Sequence, residues 1–283
     1  MSHLNMRHMK NTFKIIILLL LHHSSWMYAQ QLEWTALANP DSLQVNSVHY
    51  SNDDLKVISA TNCHPAHIRM FRSSDGVNTW DYLVPDNLMC QMGTGFSSDG
   101  KYLASIEEMG HIILFDYTPA VPDSINTLVM GTQYAFAIAF APNSQKLVAG
   151  GSNGKMQTFN INTASIDLNI TAHSSWVTAV NYSPDNTMIA SGGNDNLVKL
   201  WDTTGNALLT LPGHADDITG LQFSPDNSRL YSSSADNSVK VWNTVTGALI
   251  HSIPVSNSDV NAIDLSNNGH ILRSEEHTSE LQS

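Results

Sequence analysis

One set of chemically capable residues occurs twice, 41 residues apart, in this 283-residue chain. The two copies, each a His, a Ser and an Asp, are His173, Ser191 and Asp195, and His214, Ser232 and Asp236. These groups can form a hydrolytic triad, in which the imidazole takes the proton of a hydroxyl nucleophile. A structural tie would recur at the same place in a repeated unit, whereas a single active site would not. We therefore interpret both copies as structural.

A second segment with possible chemistry is SSDGVNTW, at 73–80. It is close to the Asp-box of sialidase-like proteins, with its Gly one place early, but a polar hairpin between two strands also explains it. A sialidase needs three arginines that converge on the substrate carboxylate. Apart from the two ends, the chain has only Arg69, Arg72 and Arg229, and the first two point to opposite faces of one predicted strand. We predict that the protein is not an enzyme.

Composition and spacing limit the other classes of function. The 13 histidines show no metal-ligand spacing, and no EF-hand loop is present, so we expect no metal and no cofactor. The formal net charge is −12 and the basic residues form no run, which argues against nucleic-acid binding. Hydrophobic residues make up 42% of the chain and charged residues 13%, which predicts a large core.

Both ends differ from the rest of the chain. Residues 1–29 combine basic residues, the apolar run 15–21 and a small residue at Ala29, the layout of a secretory signal peptide. We expect cleavage near Ala29, export to the periplasm, the cell surface or the medium, and no membrane span. Residues 273–283 are polar, out of step with the repeats, and resemble a translated sequencing-library adapter. We expect them to be a non-native tail that replaces the natural carboxyl end.

A repeat organises the segment between the two ends. An aromatic or apolar residue precedes a turn at intervals of 41 to 46 residues, at Tyr50, Phe96, Phe140, Tyr182, Phe223 and Leu265. A second aromatic follows 19 to 21 residues later, at Phe71, Phe115, Phe159, Trp201 and Trp242. Each unit reads as four short strands: in the fourth unit, VTAVNY, MIAS, LVKLW and ALLTL alternate with the turn SPDN, the hairpin GGNDN and the turn DTTG.

This period with four strands is typical of propeller blades. Trp201-Asp202 and Gly213-His214 supply the dipeptides through which the chain resembles WD-repeat β-propellers. The resemblance implies an all-β fold of four-stranded antiparallel blades over 30–272, with five complete blades, part of a sixth, and seven in the intact protein. It also implies that the segment 32–37 forms the fourth strand of the last blade, which closes the ring.

The resemblance assigns a role to the repeated polar residues. In the family, a His, a Ser, an Asp and a Trp form a buried hydrogen-bonded tetrad. Carried over, one tetrad comprises His173, Ser191, Asp195 and Trp201, and the other comprises His214, Ser232, Asp236 and Trp242. The first three units depart from this pattern, because Phe replaces the Trp and Asn153 and Met109 stand where the Asp is expected. We expect packing alone to hold those units.

The function implied is a non-catalytic protein-interaction scaffold, with proteins or peptides bound on the wide face. By register, Trp176 and Asp217 lie at strand entries and Asn194 lies before a hairpin aspartate, so we predict that Trp176, Asn194, Asp216 and Asp217 bind the partner. Trp176 could instead pack against the next blade. The alternative function is an exported propeller enzyme or a carbohydrate- or ligand-binding propeller. Cys63 and Cys90 map to one face and either pair in a disulfide or remain two thiols.

Overall fold

Short strands and tight turns build the chain. A computed structural model describes residues 15–18, 31–34, 45–51, 55–61, 67–74, 77–84, 91–107, 109–118, 123–131, 134–255, 260–265 and 272–276. The first two strands, β1 (Ile15–Leu18) and β2 (Gln31–Trp34), pair antiparallel with each other. The sequence predicted that β2 would complete the last blade. The structure pairs it instead with the apolar strand β1, which satisfies its backbone hydrogen bonds.

Five four-stranded antiparallel sheets follow, which we call blades 1 to 5. Blade 1 consists of β3 (Val45–Tyr50), β4 (Lys56–Thr61), β5 (His67–Arg72) and β6 (Asn78–Leu83). Blade 2 consists of β7 (Gln91–Phe96), β8 (Tyr102–Glu107), β9 (His111–Asp116) and β10 (Asp123–Val129). Blade 3 consists of β11 (Ala135–Phe140), β12 (Lys146–Gly151), β13 (Lys155–Asn160) and β14 (Ser165–Thr171).

The last two complete blades continue the same order. Blade 4 consists of β15 (Val177–Tyr182), β16 (Met188–Gly193), β17 (Val198–Asp202) and β18 (Ala207–Leu211). Blade 5 consists of β19 (Ile218–Phe223), β20 (Arg229–Ser234), β21 (Ser238–Asn243) and β22 (Leu249–Pro254). A two-stranded sheet of β23 (Val260–Leu265) and β24 (Leu272–Glu276) comes after them. The all-β prediction of four-stranded antiparallel blades is confirmed, and the total of seven stays a prediction.

The aromatic repeat reflects equivalent places in successive sheets. In blade 4, Tyr182 pairs with Ile189 on the second strand, and Ile189 pairs with Trp201 on the third. In blade 5 the same places hold Phe223, Leu230 and Trp242. The first three blades repeat the arrangement with the rows Tyr50, Val57 and Phe71; Phe96, Leu103 and Phe115; and Phe140, Leu147 and Phe159. The predicted period therefore sets one register for five blades.

Each first strand begins with a β-bulge. The pairing with the second strand shifts by one residue after Val45, Gln91, Ala135, Val177, Ile218 and Val260. A bulge leaves one residue unpaired, bends the strand and re-aims that side chain. In blades 3 to 5 the bulged residues are Phe136, Thr178 and Thr219. The bulges thus present one extra side chain per blade at the entry end of each first strand.

The core lies between successive blades rather than within one. Trp201 and Ile189 of blade 4 pack with Val148 and Met156 of blade 3 in one buried cluster. The next cluster joins blades 4 and 5 through residues such as Leu200 and Trp242. First strands of neighbouring blades run side by side, β11 beside β15 and β15 beside β19. Because each sheet buries its faces against its neighbours, the blades depend on one another for stability.

Glycines in the second strands allow this close approach. The sequence placed Gly192 and Gly193 in a hairpin tip, but both belong to β16. A Cβ added to Gly192 would stand 2.4 Å from Cγ2 of Ile218, at the start of blade 5. A Cβ on Gly150 of blade 3 would stand 2.6 Å from Cγ1 of Val177 in blade 4. These glycines therefore serve contact between blades rather than turn flexibility.

The turn after each first strand is held by its own side chains. In the SPDN turn, Ser183 Oγ donates to Asp185 Oδ1 at 2.6 Å, and Ser183 Oγ accepts from the Met188 N–H at 2.8 Å. Asn186 takes a left-handed conformation with φ 60°, which Asn tolerates better than most residues. The hydrogen bond from Ser183 lowers the pKa of Asp185. The Asp185 N–H also reaches Asn227 Oδ1 of the blade 5 turn at 3.3 Å, which links neighbouring blades.

Several predictions about the ends fall on few described residues. Most of the segment 1–29, and therefore the predicted cleavage at Ala29, lies outside the described residues. The tail expected to be non-native begins inside β24, where Arg273 pairs with Asp264. Cys63 and Cys90 lie outside the described residues, so their pairing stays a prediction. The described residues contain no helix long and apolar enough to cross a membrane.

Candidate functional site

The polar set of blade 4 forms a continuous chain of hydrogen bonds. His173 Nδ1 lies 2.7 Å from Asp195 Oδ1, and His173 Nε2 lies 2.8 Å from Ser191 Oγ. The Trp201 indole N–H donates to the same Ser191 oxygen at 2.9 Å. Indole can only donate, so the hydroxyl proton of Ser191 is left for His173 Nε2 and the Nδ1 proton for Asp195. This arrangement ties the hairpin between β16 and β17 to the loop before β15.

Blade 5 repeats the chain with nearly the same distances. His214 Nδ1 lies 2.8 Å from Asp236 Oδ2, His214 Nε2 lies 2.7 Å from Ser232 Oγ, and Trp242 Nε1 donates to Ser232 Oγ at 2.8 Å. Gly213, with φ 152°, passes close to the indole, since a Cβ there would stand 3.1 Å from Trp242 Cη2. This close approach explains a Gly before the His. Both polar sets are thus built in the same way.

Burial rather than catalysis governs these groups. Ser191 and Ser232 are each 0% exposed, so neither hydroxyl can reach a substrate. Burial lowers the pKa of His173 and of His214, against the opposing effect of their Asp partners, and so favours neutral imidazole. Burial alone would raise the pKa of Asp236, but hydrogen bonds from Ser238, Ala215 and His214 lower it to about 2. Neutral His beside ionised Asp is the state that satisfies every hydrogen bond of the chain.

These shifts predict that acid destabilises the protein. The unfolded histidines titrate near pH 6.5, above the lowered pKa values of His173 and His214 in the folded chain. As the pH falls through about 6.5, the unfolded state binds protons first, so the free energy of unfolding decreases. We expect the melting temperature to fall between pH 7.5 and pH 5, and this dependence to weaken in a His173→Gln, His214→Gln double variant. Thermal melts over that pH range measure both.

The wild-type chain provides a check that needs no variant. NMR titration of the His173 and His214 ring protons should give midpoints below 6.5, the value for an unperturbed His. Midpoints at or above that value would contradict the assignment of neutral imidazole, and with it the acid instability.

In the described part of the first three blades, no Trp indole completes such a chain. Phe71, Phe115 and Phe159 take the place of the indole, and Phe115 and Phe159 are almost fully buried in the cores between blades. Ser105 in blade 2 occupies the register position of Ser191, yet its Oγ donates to the Gly93 carbonyl at 3.3 Å. In these three blades, apolar packing of a Phe stands in place of the Trp hydrogen bond.

An open pocket lies where three blades meet at their entry loops. It has a volume of about 390 Å³, and we call it the entry pocket. Its walls are formed by Phe136, Trp176, Thr178, Asn194, Asp217, Ile218, Thr219 and Ala235. Three of the four residues predicted to bind a partner, Trp176, Asn194 and Asp217, are therefore brought together. The fourth, Asp216, is not part of the wall, and its Oδ1 accepts from the Asp217 N–H at 2.8 Å.

The repeat itself creates the walls of the entry pocket. In blade 4 the Asn194 N–H donates to the Trp176 carbonyl at 3.0 Å, and in blade 5 the Ala235 N–H donates to the Asp217 carbonyl at 2.9 Å. In blade 3 the same bond joins the Ser152 N–H to the Tyr134 carbonyl at 2.9 Å. In each of blades 3 to 5, one backbone hydrogen bond from the hairpin thus fixes the entry loop. It also sets the spacing of the side chains that this loop carries.

The structure shows for Trp176 the packing that the sequence analysis left open as one alternative. Its indole stacks on Phe136 of the neighbouring blade, with ring centroids 4.9 Å apart and planes 23° apart. Tyr134 stands at a tilt beside it, with centroids 6.4 Å apart. Trp176 nevertheless remains 44% exposed. Packing orients the indole while one part of it stays available to a ligand.

Sequence reasoning missed Phe136, Thr178 and Thr219, which are the bulged residues at the entry end. Each stands four residues before the aromatic anchor of its unit, at Phe140, Tyr182 and Phe223 respectively. The register that located Trp176 and Asp217 therefore also contained these positions. Because the bulge is invisible in a two-residue strand period, the side that they face could not be assigned from sequence.

The other chemical motifs occupy plain structural positions. In the Asp-box-like segment, residues 73–74 follow β5 and residues 78–80 begin β6, while 75 and 76 lie outside the described residues. Arg69 pairs across these strands with Asp81, Nε to Oδ2 at 3.0 Å, whereas Arg229 begins β20 in blade 5. Within the described ranges, no group of three or more His, Cys, Asp or Glu residues could hold a metal ion.

A family model described as WD domain, G-beta repeat, matches residues 166–202 and 205–243, which cover most of blades 4 and 5 together with the last strand of blade 3. No curated protein matches the chain.

Proposed function

We propose that this chain, whose WD40 repeats and four-stranded sheets fit a WD-repeat β-propeller, is a non-catalytic scaffold that binds proteins or peptides at the entry pocket. WD40 repeats on a propeller-like fold suggest a protein-interaction scaffold. The observation that carries the finer proposal is the entry pocket itself, which gathers Trp176, Asn194 and Asp217 from two blades beside Phe136 of a third. A rigid ring that presents loop residues in this way is suited to recognition.

The pocket has the composition of a binding anchor rather than of a reaction centre. A half-exposed Trp stacked on a Phe offers a large, rigid apolar surface, and such residues dominate the energetics of interfaces. Of the groups that resemble a hydrolytic triad, the His and Ser side chains are buried, and none of the triad-like residues lines the pocket. We therefore assign binding, not catalysis, to the pocket.

We further propose that the chain is exported, with cleavage near Ala29. The basic, apolar and small residues of 1–29 support this proposal. Cleavage there would remove β1, which is the antiparallel partner of β2. The partners would then be periplasmic, cell-surface or secreted proteins.

Selective capture of partners tests the scaffold proposal. The full chain, immobilised and exposed to an extract of its source organism, is expected to enrich at least one protein. Trp176→Ala and Asp217→Asn should each reduce that enrichment by about tenfold, because anchor residues of an interface carry most of its energy. Leu208→Ser, which changes an exposed apolar residue on the outer strand β18, serves as the control and should retain the protein. Equal enrichment on all variants would contradict the proposal.

A further inference from the structure

The polar part of the entry-pocket wall accepts hydrogen bonds. Thr178 Oγ1 donates to the Ile218 carbonyl at 2.5 Å, and Thr219 Oγ1 donates to the Val260 carbonyl. Each hydroxyl has committed its one proton, and Thr219 Oγ1 also accepts from Ser233 Oγ at 2.9 Å, so only part of the acceptor capacity of the two hydroxyls remains. Asn194 Oδ1 is buried and receives no hydrogen bond from any described residue. With the carboxylate of Asp217, the polar part of the wall thus consists mainly of acceptor groups.

The carboxylate of Asp217 is not neutralised. Burial, and then the negative charge of Asp216, raise its pKa. In the part of the chain that the structure describes, no Lys, Arg or His forms an ion pair with it. A partly buried carboxylate beside a second one favours a ligand that carries positive charge.

The apolar part of the wall is flat and aromatic. Trp176 and Phe136 stack 23° from parallel, and Trp176 keeps 44% of its surface exposed. The face of an indole attracts a cation through the quadrupole of the ring, and Trp is the strongest such partner. The aromatic and the acidic parts of the wall therefore favour the same kind of ligand.

We propose that the entry pocket takes an arginine side chain of the partner protein. This proposal rests on the proposed function, since it names the group that the scaffold recognises. A guanidinium is planar, so it can stack on Trp176, and its five N–H donors can reach several acceptors at once. A lysine ammonium has three donors around a point charge and stacks less well. Acceptors on one side and an aromatic plane on the other thus favour arginine over lysine.

Short peptides test the proposal on the full chain. The probe is acetyl-Gly-Gly-Arg-Gly-Gly-amide, and two matched peptides carry lysine, or the uncharged arginine analogue citrulline, in place of the arginine. Binding is followed through the indole N–H signal of Trp176 in a ¹⁵N spectrum. The arginine peptide should shift this signal saturably and bind about tenfold more tightly than the citrulline peptide, and also more tightly than the lysine peptide.

Variants locate the site. Asp217→Asn, which keeps the size of the side chain, should weaken binding of the arginine peptide by about tenfold, while the control Leu208→Ser should leave it unchanged. Equal binding of arginine and citrulline peptides, equal binding of arginine and lysine peptides, or no shift of the Trp176 signal would each overturn the proposal. If the peptides fail but a captured partner still depends on Trp176, the scaffold function stands and only the arginine assignment falls. If both fail, the scaffold function falls too.

Discussion

Replacing Ser232 with alanine should lower the free energy of unfolding by about 2–4 kcal/mol, more than a typical buried serine. Its oxygen is 0% exposed, accepts from the Trp242 indole and lies 2.7 Å from His214 Nε2. Without it, a buried donor and a buried acceptor both lose their partner, and each such group costs about 1–3 kcal/mol. Urea or thermal unfolding of the variant measures the loss.

The matched control is Ser105→Ala, at the equivalent position of blade 2. Ser105 is also 0% exposed, but Phe115 stands where blade 5 has its indole. The cost there should be smaller than at Ser232, because no Trp indole depends on the Ser105 oxygen. In blade 4, the double variant His173→Ala, Trp201→Phe should lose less stability than the two single variants added together, because both residues bind through Ser191. Equal costs for both serines, or additive costs in the cycle, would contradict the hydrogen-bonded chain.

Gly192→Ala should destabilise the protein by about 2–3 kcal/mol through overpacking. The new Cβ would stand 2.4 Å from Cγ2 and 2.7 Å from Cβ of Ile218 in the next blade. Ile218 is 0% exposed and β-branched, so it has little freedom to move away. The melting temperature should fall although alanine is ordinarily a better strand residue than glycine.

Gly95→Ala provides the comparison for this prediction. Gly95 also lies in a strand, β7, but its added Cβ would meet nothing closer than Phe140 Cδ2 at 3.8 Å, an ordinary contact. The substitution should be neutral or stabilise the chain by about 0.5 kcal/mol, because alanine loses less entropy on folding. If both variants behave alike, close contact between blades is not what requires glycine at 192.

The strands could be predicted where the local sequence marks both of their ends. The strands β15 and β18 match VTAVNY and ALLTL residue for residue, because alternation and flanking turn residues mark both their ends. The prediction failed at Gly192 and Gly193, which local rules assign to a turn but which contact between blades places in β16. Contacts between blades are long-range and leave no local signal.

The residues that line the entry pocket could be predicted only in part, for a related reason. The register located Trp176, Asn194 and Asp217, since the repeat carries a known loop position from blade to blade. It included Asp216, whose carboxylate caps the next backbone N–H instead of lining the wall. It missed Phe136, because a bulge changes the side of the strand that a residue faces. Since both residues are aspartates, the backbone and not the residue type decides that Asp217 rather than Asp216 lines the pocket.

The hydrogen-bonded chains of blades 4 and 5 have no counterpart in blade 3, where Phe159 stands in place of the indole. The blades are thus held unevenly, and local opening should come more easily in blade 3 than in blades 4 and 5. The entry pocket straddles this boundary, since Phe136 belongs to blade 3 and Asp217 precedes blade 5. A ligand that contacts both would hold blade 3 against blades 4 and 5, so that ligand binding and the local stability of blade 3 become thermodynamically linked.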